Sequence, residues 1–321
     1  MTSALFLLVP FLGLATPVQA GPVPGPIATP DVAQHDPQQT PLDQLAFTDD
    51  GTRMTVPVTI GPAGPYRFVV DTGAERTVIS HELATTLGLA VGSRVRVTAM
   101  SGSSNVGTYV VPEIIVGSPR AGARLTGSRI EAPALQAGNL GAAGLVGIDT
   151  LQGHAVTIDF ATRTMTVTPS VKRTRTERFG PDDIVIRARN LFGQLVVTDA
   201  DYRGRKIRVV IDTGAVISMG NLALLRLVRS DAQQMQPISL LSVTGGVLQA
   251  DFRLVDQIHV AAIGFKDLPV AFSDAPPFAR LGLHDRPALL LGMDAMRLFG
   301  RVRIDFANRE LRLAQPTPDP R

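Results

Sequence analysis

A chain of 321 residues is long enough for two domains, and 45 % hydrophobic content is enough to bury a core in each. It contains no cysteine, which excludes disulfides, a thiol nucleophile and an N-terminal lipidated cysteine. The formal net charge of +3 is small for this length, and no aromatic platform accompanies the basic residues, so nucleic acid is not an expected partner.

The first twenty residues carry no charged side chain and run through apolar stretches to Val18-Gln19-Ala20. This pattern reads as a signal peptide over residues 1–20, cleaved after Ala20, and predicts a bacterial protein exported to the periplasm or medium. It departs from the usual pattern in having no Lys or Arg ahead of the apolar core. Pro10, Pro17 and the short apolar run argue against a stable membrane span. Residues 21–45, rich in Pro, Gln and Ala, read as a flexible lead or propeptide. A first lobe is expected over 46–170, with strands in Met54–Ile60, Tyr66–Val70, Arg94–Val97 and Met165–Thr168. Residues 171–183, which include the run from Lys172 to Arg178, read as a solvated connector. A second lobe over 184–315 has strand patterns in Gln194–Thr198, Arg208–Ile211, Arg301–Ile304 and Leu311–Leu313, and residues 316–321 form a Pro-rich tail.

The two lobes are copies of one pattern. Asp71-Thr72-Gly73-Ala74 recurs as Asp212-Thr213-Gly214-Ala215, each time after a β-branched run. Nine positions beyond each aspartate stands a helix-capping candidate, Ser80 and then Asn221. Leu145-Val146-Gly147-Ile148-Asp149 is matched by Leu290-Leu291-Gly292-Met293-Asp294, and Ile158-Asp159-Phe160 by Ile304-Asp305-Phe306. The nearly constant offset marks a duplication of whole domains, far longer than any solenoid period. Between the aspartate and the later glycine each copy has a small Gly/Ser-rich stretch. These stretches, Met100–Gly107 and Val243–Gly246, read as hairpin tips over a cleft, with Ser101, Gly102, Ser103, Thr244, Gly245 and Gly246 as flap candidates.

These motifs resemble the aspartic peptidase superfamily, specifically the bacterial retropepsin-like proteins, with two retropepsin-sized lobes in one chain as in pepsins. The resemblance covers roughly residues 50–315. It implies an all-β fold of two duplicated acid-protease β-barrel lobes with short helices and a cleft between them. It further implies an aspartic endopeptidase acting on an extended peptide, with no cofactor and no metal. Asp71 and Asp212 would be the catalytic pair, because two adjacent carboxylates cannot both ionise cheaply and share one proton. By the same resemblance, Thr72 and Thr213 hydrogen-bond to the opposite loop and Gly73 and Gly214 let the loops approach. Gly147 and Gly292 brace the loops, and Asp149 and Asp294 are expected as caps of short helices. Ala74 and Ala215 replace the serine of many pepsin-like enzymes, and with it a hydroxyl donor to the ionised carboxylate. The dyad is therefore expected to keep its proton to higher pH and to work from mildly acidic to near-neutral conditions. No tyrosine stands at the first flap tip; Tyr109 lies beyond Gly107. A monomer is expected, since both half-sites lie in one chain. A second reading keeps the cleft without the chemistry, as a secreted peptide-binding module.

Other hydrolase signatures are missing. His81-Glu82 is not followed by the second histidine of a zinc protease, and no nucleophile elbow, phosphate loop or dinucleotide fingerprint occurs.

Overall fold

The computed structural model describes residues 4–7, 10–11, 44–46, 48–49, 54–116, 129–172, 184–191, 193–228 and 235–314. The predicted tail, nearly all of the connector and most of the lead lie outside these residues. No helix among them is long and apolar enough to cross a membrane. The described residues form mainly strands, in two large sheets and one small one, with six short helices. These are α1 (His81–Thr86), α2 (Ala137–Leu140), α3 (Ile148–Leu151), α4 (Leu222–Val228), α5 (Pro276–Arg280) and α6 (Met293–Met296).

Both lobes use one strand plan. In the first, Met54–Ile60 and Ala63–Val70 form an antiparallel pair, and Ala63–Val70 ends at Asp71. Gly144–Val146 then inserts between two strands, parallel to Phe68–Val70 and antiparallel to Val78–Ile79. In the second lobe Ala288–Leu291 lies in the same way, parallel to Arg208–Ile211 and antiparallel to Met219–Gly220. These central strands are apolar on both faces, with Val209, Val210 and Ile211 all buried. Sheets covered on both sides require that composition.

A long hairpin extends from each lobe. Val91–Ala99 and Gly102–Val111 form the first, and Gln236–Ser242 and Val247–Val255 the second. The first tip is narrower than expected: only Met100 and Ser101 make the turn, while Gly102 and Ser103 already belong to the return strand. The hydroxyls of Thr98 and Ser103 lie 2.9 Å apart across the two strands, so these polar residues form a ladder instead of a loop. In the leader region Ala4–Leu7 runs parallel to Arg96–Ala99 on the first hairpin, and Pro10–Phe11 runs antiparallel to Leu241–Ser242 on the second.

Beneath the cleft the lobes share a sheet. His154–Asp159 of the first half pairs with Arg301–Asp305 of the second, and Glu310–Ala314 pairs with Ile184–Arg187. Alternation is clean here, with Val302 and Ile304 buried and Arg301 and Arg303 turned outward, as a sheet with one solvated face dictates. The second lobe adds a four-stranded sheet of Ala200–Tyr202, Arg205–Lys206, Ile258–Val260 and Ile263–Phe265, sealed by buried Tyr202.

Candidate active site

Each aspartate sits where a buried strand turns out of its sheet. The backbone N–H of Asp71 donates to Val146 O at 3.0 Å, and that of Asp212 to Leu291 O at 3.0 Å, so the inserted strand fixes the start of each loop. The loops then fold back on their own carboxylates. Gly73 N–H donates to Asp71 Oδ1 at 2.8 Å, and Gly214 and Ala215 N–H donate to Asp212 Oδ1 at 3.0 and 3.2 Å.

Thr72 and Thr213 join the two loops. Thr72 N–H donates to Thr213 Oγ1 at 3.1 Å, and Thr213 N–H donates to Thr72 Oγ1 at 3.0 Å. Each hydroxyl in turn donates to the opposite strand, Thr72 to Ile211 O at 3.0 Å and Thr213 to Val70 O at 2.8 Å. The lattice is two-fold symmetric and fully buried, and every donor finds an acceptor on the other lobe. It brings the loops so close that a Cβ at Gly214 would lie 2.3 Å from Asp71 Cγ. Only glycine fits there.

Both carboxylates are inaccessible, Asp71 and Asp212 each 0 % exposed. Burial, and then the charge of neighbouring Asp71, push the Asp212 pKa well above the usual carboxylate range. Each carboxylate thus makes ionisation of the other costlier. Among the described residues no group of His, Asp and Glu is placed to hold a metal ion.

Behind the loops, Gly147 and Gly292 lie against backbone. A Cβ on Gly147 would meet Arg76 C at 2.4 Å, and one on Gly292 would meet Ala215 O at 2.9 Å. Asp149 and Asp294 differ from the sequence expectation. The capping positions of α3 and α6 belong to Gly147 and Gly292, and neither cap makes a side-chain bond. Asp149 Oδ1 instead accepts from Thr77 N–H and Oγ1, both at 2.8 Å, while Asp294 accepts from Ser218 N–H at 3.0 Å and Ser218 Oγ at 2.8 Å. These carboxylates anchor the segment that follows each Asp-Thr-Gly loop, while the cap positions themselves are held by glycines whose contact with backbone leaves no room for a capping side chain.

The tips of the two hairpins meet each other through Ser101, Thr244 and Gly246. Ser101 Oγ and Thr244 Oγ1 are 3.5 Å apart, and a Cβ at Gly246 would strike Ser101 Oγ at 2.4 Å. Gly102 and Ser103 lie back from this contact on the return strand. The residues beside the tips cross over: Met100 belongs to the second lobe's apolar cluster with Phe278, Leu281 and Leu290, and Val243 to the first lobe's with Ala74, Val78 and Leu145.

Two features are not visible in the motifs. Gln194, 0 % exposed, donates its side-chain amide to Gly73 O at 2.6 Å, so the second lobe grips the first lobe's loop from below. The only signal is a lone amide opening the otherwise apolar strand Gln194–Val197. Glu75, directly after Ala74, forms a two-pronged pair with Arg280 of α5, with both bonds at 3.0 Å. The matching position in the second lobe is Val216, so this tie exists on one side only.

Among known proteins, a family model described as aspartyl protease matches residues 56–150 and again residues 198–295. No individual curated protein matches the chain. Both matched segments carry an Asp-Thr-Gly loop, its inserted strand and its flap, and the chain therefore belongs to the aspartyl protease family, with the family's unit present twice.

Proposed function

We propose that the chain is an aspartic endopeptidase whose Asp71 and Asp212 share one proton and activate a water between them. The observation that carries this reading is the reciprocal Thr72–Thr213 lattice, which holds two buried carboxylates in register from opposite lobes. The ionised member takes a proton from water as the oxygen attacks the scissile carbonyl, and the protonated member donates to the carbonyl oxygen. The resulting diol collapses as its proton is returned and the amide nitrogen leaves protonated. Either aspartate can fill either role, since the two titrate as one unit.

An extended peptide is the substrate this cleft suits. Flap strands related by a two-fold axis run in opposite senses along anything that crosses the axis. A single extended chain is then parallel to one flap and antiparallel to the other, the relation that Ala4–Leu7 and Pro10–Phe11 have to the two hairpins. Export through the N-terminal signal and action as a monomer complete the reading.

Digestion of denatured casein, with and without a pepstatin-type inhibitor, tests it beside Asp71→Asn and Asp212→Asn. Each substitution is expected to lower the rate by roughly 10²- to 10⁴-fold, the usual contribution of a positioned acid or base. Undiminished cleavage by either variant contradicts the shared dyad. A wild-type protein that binds peptides but cleaves none across a broad pH range is a binding module.

A further inference from the structure

A cavity of about 710 Å³ opens between the first hairpin, the strand Ile130–Leu135, α2 and the second flap tip. Its polar lining is His81, Arg94, Tyr109, Gln136, Asn139 and Thr244. Leu135 and Val243 on its wall belong to the first lobe's buried apolar cluster, which also contains Ala74 and Val78 of the Asp71 loop and the strand after it. The second flap forms part of its roof: a Cβ at Gly245 would lie 2.9 Å from Asn139 Nδ2.

The donors are arranged for an acceptor. Tyr109 OH and His81 Nδ1 lie 3.0 Å apart, and Arg94 is steadied by donating to Asn105 O at 2.9 Å. The two nearby carboxylates are already engaged, Glu82 by Ala137 N–H at 2.9 Å and Glu131 by Thr108 Oγ1 at 2.8 Å and by Ser93 N–H. What remains for a ligand is the guanidinium, two side-chain amides and the His–Tyr pair.

Among the described residues, two of these elements are replaced in the duplicated lobe. His81 opens α1 after the capping Ser80, and Leu222 opens α4 after the capping Asn221. In place of the α2 segment with Gln136 and Asn139, the second lobe has Pro276-Pro277-Phe278 of α5, with Phe278 in its apolar cluster.

We propose that this cavity is a specificity subsite for a side chain ending in an oxygen acceptor, glutamine or glutamate, on the first-lobe side of the scissile bond only. It thereby sets the direction in which a peptide lies across an otherwise two-fold cleft. The inference rests on the peptidase reading only for the position of the scissile bond.

The test walks a single Gln, Glu or Leu through every position of an otherwise apolar decapeptide and measures kcat/KM. Wild type is expected to favour Gln, Glu or both over Leu by about tenfold, the value of one good hydrogen bond, at one position. In His81→Leu/Asn139→Ala, and separately in the more conservative Arg94→Ala, this ratio is expected to fall toward one. No preference anywhere, two preferred positions placed symmetrically about the cut, or a ratio that survives in folded variants overturns the proposal. Fluorescence polarisation of the same peptides on Asp212→Asn reads the ratio without catalysis. A preference there with no cleavage by wild type would sink the peptidase reading and leave the subsite standing, whereas a ratio of one there sinks the subsite.

Discussion

Asp212 is a carboxylate kept out of water beside a second one, and two measurable consequences follow at the scale of single residues. Its folded-state pKa lies above the unfolded value, so its charged form opposes folding. Stability is unaffected below the ordinary carboxylate pKa and declines as pH rises through the raised value. Asp212→Asn, which cannot ionise, is expected to melt about 2 to 4 °C above wild type at pH 8, a difference that closes by pH 4. Wild-type turnover should span mildly acidic to near-neutral pH and fall as the second proton leaves; an optimum at about pH 2 to 3 contradicts the role given to Ala74 and Ala215. Asp71, Thr72, Asp212 and Thr213 were legible because local sequence fixes both the loop and its partner through the duplication. Gln194 was not, because its acceptor Gly73 lies 121 residues away and nothing near Gln194 names it.

At the scale of elements, the two capped helices share a start signal but not its weight. Ser80 Oγ accepts a single bond, from Leu83 N–H at 3.1 Å. Asn221 Oδ1 accepts from Leu224 N–H at 2.8 Å and Ala288 N–H at 3.1 Å, and its Nδ2 donates to Leu283 O and Arg286 O, both at 2.7 Å. It therefore caps α4 and also pins the loop after α5. Ser80→Ala is expected to cost about 1 kcal/mol and Asn221→Ala about 3 kcal/mol, read as shifts in denaturation midpoint at constant slope. The positions of the caps were readable from sequence, whereas the second function of Asn221 depends on a loop more than sixty residues downstream. The same limit explains Asp149 and Asp294: a Gly-x-Asp at a helix start suggests a cap, and only the packed segment of Thr77 or Ser218 shows where the carboxylate goes. It explains the first flap as well, since Ser and Gly in Gly102–Gly107 suggest a loop until the opposite strand supplies a ladder.

For the whole molecule, the duplication gave the lobes and the cleft but not the way the halves are joined. Pairing of Ala155–Asp159 with Arg301–Asp305 makes one sheet out of both copies. The Glu75–Arg280 pair and the exchanged flap residues tie them again beside the site. Calorimetry is therefore expected to show one unfolding transition with matching calorimetric and van't Hoff enthalpies; two separated transitions would mean that the lobes fold independently. The shared sheet also bears on how the two aspartates find each other. In a site made by two separate chains, encounter depends on concentration, and dilution pulls the halves apart. Here strands of both halves are woven into one floor and carried on one backbone, so the local concentration of each aspartate around the other is set by geometry alone. An intact site then forms in every folded copy, however few copies a compartment contains.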